Sequence, residues 1–140
     1  MADAPTAARR LARFATGLEF EDLPDEVVEQ TKLHVLDVLG CGLAASAREL
    51  GDQARSWAID DWTPLGRAAQ LLGHGGPAAA SEAALANGML CHALDYDDTH
   101  PEALVHPSTV IVPAALAVAQ AHGATGPELL TAIVAGTETV

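Results

Sequence analysis

Apolar residues recur every three or four positions along most of the chain, and that period predicts helices. Ala8, Leu11, Ala12 and Ala15 mark a first helix over residues 6–17, with Arg9, Arg10 and Arg13 on its wet side. A turn ends at Leu23-Pro24-Asp25, where proline suits a first helical turn and Glu26 suits its positive end. Val27, Val28, Thr31, His34, Val35, Val38 and Leu39 carry the next stripe, and residues 35–45 are almost wholly apolar or small. This second helix therefore starts wet and ends buried, with Gly40 and Gly42 leaving room for a neighbour. A third helix is expected over residues 47–60, broken by Thr63-Pro64-Leu65-Gly66. Residues 68–72 form a short apolar run closed by Gly73-His74-Gly75-Gly76, read as a strand or extended piece. A fourth helix runs from Pro77 or Ala78 to Leu94. A fifth runs from after His106 to His122-Gly123, with Pro113 either kinking it or marking its true first turn. A sixth starts at Gly126-Pro127-Glu128 and is still apolar at Ile133-Val134. The pattern predicts an all-α fold of about six helices, with no internal repeat and no Ser/Gly linker. An apolar helix without a proline stop or a polar tail before Val140 predicts the N-terminal part of a longer polypeptide.

Composition sharpens this picture. Alanine accounts for 29 of the 140 residues and aromatics for only 4%. Small side chains let helices approach closely, and so few rings argue against a large aromatic ligand pocket. With 49% apolar and 19% charged residues the body of the chain is not disordered. Lys and Arg number 7 against 19 Asp and Glu, a formal net charge of −12. That excludes the basic face a nucleic-acid binder needs, and it opposes docking on an anionic membrane. No run of about 18 uncharged apolar residues predicts a membrane span. The N-terminus has no basic stretch ahead of an apolar core, so no secretory signal is read. Cys41 and Cys91 lie in apolar segments and read as buried thiols of a cytoplasmic protein.

One stretch carries the candidate chemistry. His92, Asp95, Asp97, Asp98, Thr99, His100, His106 and Ser108 crowd the end of the fourth helix and the loop behind it. Neighbouring carboxylates repel one another, and histidines move protons near neutral pH, so acid–base chemistry is the functional reading. A solvated turn or a set of helix caps is the plainer one, because Asp and Thr bond their own backbone readily. On the same footing His92 reads as a core histidine, and His34, His74 and His122 read as structural or surface residues. His92 and Asp95 share a helix face, but no His-Glu-x-x-His spacing follows. An EF-hand loop counted from Asp95 would place His100 at the sixth position and His106 at the twelfth, where Gly and Glu belong. No metal and no other cofactor is expected. Gly73-His74-Gly75-Gly76 lacks the residues that would complete a phosphate loop.

Asn87-Gly88, then His92-Ala93-Leu94-Asp95-Tyr96-Asp97-Asp98-Thr99, then His106-Pro107-Ser108 and Val112-Pro113-Ala114-Ala115-Leu116-Ala117 resemble the signature of the MmgE/PrpD family. Leu36-Asp37-Val38-Leu39-Gly40-Cys41, Leu71-Leu72-Gly73 and Ala132-Ile133-Val134-Ala135-Gly136 support the match, which runs from about Ala12 to Val140. The family includes 2-methylcitrate dehydratase, cis-aconitate decarboxylase and iminodisuccinate epimerase. The resemblance implies an enzyme of about three times this length. Its helical domain is built from both chain ends, its α+β lid domain lies between them, and it forms a homodimer without a metal. Residues 1–140 would be the N-terminal part of the helical domain, with the lid outside this chain. Small polycarboxylates are the implied substrates, and bonds next to a carboxylate are made or broken.

Carried across, Asp95, Thr99 and His106 match the family's active-site Asp, Thr and His. His106 would act as acid or base, Asp95 would orient a histidine or bind substrate in its protonated form, and Thr99 would hydrogen-bond a substrate carboxylate. His92, Asp98 and Ser108 join them as candidate substrate-binding residues. The segment between Thr99 and His106 is one residue longer than in the decarboxylase members, which weakens a decarboxylase assignment; a 2-methylcitrate dehydratase-like carbon–oxygen lyase is the reading the resemblance implies. A polycarboxylate also needs cationic partners. No Lys or Arg lies between Arg67 and Val140, so the 140 residues alone are expected to be inactive. The same gap supports the alternative of a catalytically inactive helical dimerisation module.

Overall fold

The computed structural model describes residues 5–59, 68–74 and 76–140. Its helices are α1 (Ala7–Gly17), α2 (Asp25–Ser46), α3 (Glu49–Ile59), α4 (Ala80–His92), α5 (Pro107–His122) and α6 (Gly126–Thr137). A single 3-10 turn, Phe20–Asp22, precedes α2. The two short strands β1 (Ala68–Gln70) and β2 (Pro77–Ala79) pair antiparallel, Ala68 opposite Ala79 and Gln70 opposite Pro77. The fold is thus mostly α, as the periodicity predicts. Among the described residues no helix is long and apolar enough to cross a membrane.

Two boundaries of α4 differ from expectation for local reasons. Pro77 and Ala78 belong to β2, so α4 starts at Ala80, with Glu82 bonding back to the Ala79 amide. The same helix stops at His92, because Asp95 turns into the left-handed region at φ 53°. Pro107 is the true first turn of α5, and Pro113 lies inside the helix, buried, where it withholds an N–H from the Thr109 carbonyl. The expected break at Thr63–Gly66 lies outside the described residues.

Helix α4 is central. It packs against α5, α2, α3 and the hairpin. Most of the core around it is alanine: Ala45, Ala54, Ala58, Ala69, Ala78, Ala83, Ala86 and Ala117, with Leu71 and Leu90 as the large members. A second cluster joins Val38, Cys91, Val112 and Ile133. Such a core works by close backbone approach, and Gly42 shows how close. A Cβ added there would sit 2.7 Å from Leu72 Cδ1 and 2.9 Å from Cys91 Sγ. Gly42→Ala is therefore expected to cost about 1–3 kcal/mol in overpacking, offset by ~1 kcal/mol of helix propensity. Urea unfolding checks it: the midpoint falls, with an unchanged slope.

Asn87 ties the hairpin to α4. Only 3% exposed, its Nδ2 donates to the Gln70 carbonyl at 2.9 Å and its Oδ1 accepts the Leu72 amide at 2.9 Å. The side chain thereby stands in for a third strand. Outside the core, Leu33, Leu36 and Leu43 on α2, Leu85 and Met89 on α4, and Val110 and Val118 on α5 remain exposed.

Candidate active site

The loop between α4 and α5 is shaped by its two ends. His92 closes α4, and His106 is the residue before the first turn of α5. Between them the Asp95 amide donates to the His92 carbonyl at 3.0 Å, which folds the chain back over the helix end. The polypeptide then delivers Asp97 inward, and its carboxylate is fully buried between the two imidazoles.

Asp97 is the hub of the site. His92 Nδ1 lies 3.0 Å from Oδ2 and 3.2 Å from Oδ1, and His106 Nδ1 lies 3.4 Å from the same Oδ2. Thr99 Oγ1 approaches His106 Nδ1 at 3.4 Å. The rings are 5.0 Å apart and tilted by 56°. With Nδ1 held, Nε2 is left as the working nitrogen of each histidine. Side-chain exposures of 52% for His92 and 30% for His106 leave both open to a ligand.

The expected residues divide into two groups. Asp95, Thr99, His92 and His106 gather around Asp97, which the residue pattern did not single out. Asp97 makes the orienting contact expected of Asp95, while Asp95 keeps a carboxylate oxygen within 4.8 Å of the donors of His92, Asp97 and His106. These four could hold a metal ion, although their spacing in the sequence follows no regular ligand pattern. His92 is exposed and paired to a carboxylate, which overturns its reading as a core histidine.

Asp98 and Ser108 face the other side of the loop. Asp98 accepts the Ser108 amide at 3.1 Å and its hydroxyl at 2.8 Å, and so caps the N-terminus of α5. His34 on α2 stands 3.4 Å from Ser108 Oγ and 3.7 Å from Asp98, beside a hollow of about 280 Å³ that also takes in Glu26, Gln30 and Glu138. His34, read above as a structural or surface residue, is a member of this second group. Its 74-residue separation from Ser108 left no local signal. An apolar hollow of about 550 Å³ opens beside His92, lined by Leu85, Met89 and Val110. His106 lines neither hollow.

The residue spacing between Thr99 and His106 is absorbed without parting them. The His100 amide donates to the Val105 carbonyl at 2.9 Å, the Leu104 amide donates back to His100 at 2.8 Å, and Leu104 adopts φ 55°. His100 is taken up by this turn and by Glu102 at 3.5 Å, away from the hub.

The surroundings of both thiols disfavour the thiolate. Burial pushes Cys91 up to about 12, helped by Cys41 and Asp97. Burial, then Asp37 and Asp97, raise Cys41 as well. A thiol that high carries almost no thiolate at neutral pH. Cys91 is expected to resist iodoacetamide at pH 7.5 and to alkylate in urea, as intact mass would show. Fast native labelling of Cys91 would contradict its environment.

A family model described as the MmgE/PrpD N-terminal domain matches residues 9–140. The chain is 32% identical over 136 residues to the cis-aconitate decarboxylase-like protein oryM of Aspergillus oryzae, covering 92% of this chain and 28% of that protein. It is 28% identical over 110 residues to cis-aconitate decarboxylase of Aspergillus terreus, covering 79% and 22%. It is 31% identical over 115 residues to the human cis-aconitate decarboxylase, covering 77% and 23%. The chain thus spans between 22% and 28% of the length of these relatives.

Proposed function

The chain belongs to the MmgE/PrpD family, which has lyase members, and from that premise we propose that it is the helical half-site of a lyase acting on a small polycarboxylate. The observation that carries the reading is the placement of one imidazole: His106 Nδ1 lies 3.4 Å from the buried Asp97 carboxylate and 3.4 Å from Thr99 Oγ1. Removal of a proton from the carbon next to a carboxylate needs a base fixed in direction, and Nε2 of His106 supplies one. Asp97 stabilises the imidazolium that forms. The Thr99 hydroxyl hydrogen-bonds a substrate carboxylate, and Asp95 and His92 border the same space. Asp98 and Ser108 act through the α5 cap by holding His106 at its post, a positioning role in place of the expected substrate contact.

In this proposal the reaction is dehydration of a 2-methylcitrate-type substrate, in which loss of the proton accompanies departure of the neighbouring hydroxyl. Decarboxylation of cis-aconitate is the second reading, favoured by the relatives' names. The cationic groups that bind the substrate's carboxylates come from outside residues 68–140, which contain no Lys or Arg. The assembly is a homodimer in the cytoplasm and needs no cofactor for turnover. The polypeptide carrying this domain, purified and given each substrate, should turn over one of them. Turnover of neither would leave the inactive dimerisation module standing instead.

A further inference from the structure

The donors around Asp97 match a transition-metal site in kind and in spacing. A tetrahedral zinc centre with bonds of about 2.0–2.1 Å places neighbouring ligand atoms about 3.3 Å apart. His92 Nδ1 and His106 Nδ1 lie 3.0 and 3.4 Å from Asp97 Oδ2, and a carboxylate oxygen of Asp95 completes a set within 4.8 Å. Two neutral imidazoles and two carboxylates also balance the charge of a divalent ion. The scaffold presets this geometry. One histidine ends α4, the other precedes α5, and the Asp97 side chain between them is fully buried. We propose that His92, Asp95, Asp97 and His106 bind a first-row divalent transition cation of the zinc class, and that the bound ion shuts off acid–base catalysis by this site.

Imidazole nitrogen is the reason for the class, since Mg²⁺ and Ca²⁺ prefer oxygen-only shells. The ion takes the place of the proton between each Nδ1 and the carboxylate, so binding releases any proton held there. Asp98 stays outside the set because Ser108 occupies both of its oxygens. Occupied by metal, His106 is fixed in an arrangement that no longer lets Asp97 stabilise its imidazolium. The binding half of this inference stands on the geometry alone, and the inhibitory half rests on the proposed function.

The test is calorimetric titration of the purified polypeptide that carries this domain with ZnSO₄, backed by the visible spectrum of Co²⁺ as a probe of tetrahedral N/O ligation. One ion per chain is expected, undisturbed by a large excess of Mg²⁺. His92→Gln should weaken binding at least about tenfold. This half-exposed residue can be changed without unfolding the chain, and circular dichroism verifies that. Asp97→Asn should weaken binding similarly, and His100→Gln should leave it unchanged. No measurable Zn²⁺ uptake, or uptake within twofold of wild type in His92→Gln, overturns the site. Inhibition by Zn²⁺ is read separately on turnover. Activity that survives at saturating Zn²⁺ removes the inhibitory half, and activity that survives His106→Asn removes the function instead.

Discussion

Replacing His106 by Asn is expected to lower kcat by about 10²–10⁴, the usual contribution of a positioned general base. Asn keeps a polar side chain of similar reach at the residue before α5, so the helix start and the Asp98–Ser108 cap are retained. KM should move little, because the imidazole acts on a proton and the substrate's carboxylates are held elsewhere. Asp97→Asn should cost less, about 10–100-fold, because it removes the orienting carboxylate while leaving the imidazole in place. The double variant should be little worse than His106→Asn alone, since Asp97 acts only through the histidine it holds. Thr99→Val should act chiefly on KM, by about tenfold, through one lost hydrogen bond. Steady-state kinetics on the assembled enzyme separates these outcomes. A kcat within tenfold of wild type in His106→Asn would end the proposal that this histidine moves the proton.

Leu90→Ala should produce the largest loss of stability. Leu90 is 2% exposed and is one of the few large side chains in a cluster otherwise built from alanine. Most of that cluster is alanine, whose side chains are too short to swing into the vacated space, so much of the cavity persists. A loss of about 2–5 kcal/mol is expected, enough to lower Tm by ~10 °C in a domain of this size. Leu36→Ala is the matched control. At 69% exposure on α2 it removes the same atoms from solvent contact and should stay within about 0.5 kcal/mol. Thermal unfolding of the two variants side by side decides whether the alanine core is as rigid as its geometry implies. Equal effects would mean that the core closes over the gap.

Helix existence was readable because the 3.6-residue period is long and repeated. The boundaries were less so. Residues 77–79 carry helix formers, and only pairing with Ala68–Gln70 draws them into a strand. That pairing also depends on Asn87, whose two hydrogen bonds to the hairpin span 15 and 17 residues. At the candidate site, the signature run pointed to the loop between α4 and α5 and named Asp95, Thr99 and His106. It did not separate Asp97 from Asp98. Adjacent residues in an extended loop point to opposite sides, so one carboxylate turns in toward the histidines and the next turns out to cap α5. Which faces inward depends on the left-handed turn at Asp95, which a string of acidic residues does not reveal. His34 reaches Ser108 only because α2 packs across α5, and no spacing along the chain encodes that.

The turn closed by His100 and Val105 has an evolutionary consequence. Length added between Thr99 and His106 is spooled out at an exposed tip, with Leu104 82% in solvent, while the Thr99 and His106 side chains remain 3.4 Å apart. Insertions and deletions here are therefore close to neutral for the chemistry, and selection can act on the tip as a separate trait. The extra residue that weighed against a decarboxylase in the sequence alone therefore loses that weight, because the turn absorbs it away from Thr99 and His106. The tip itself, free to vary beside an unchanged Thr99–His106 pair, is where lineages can diverge.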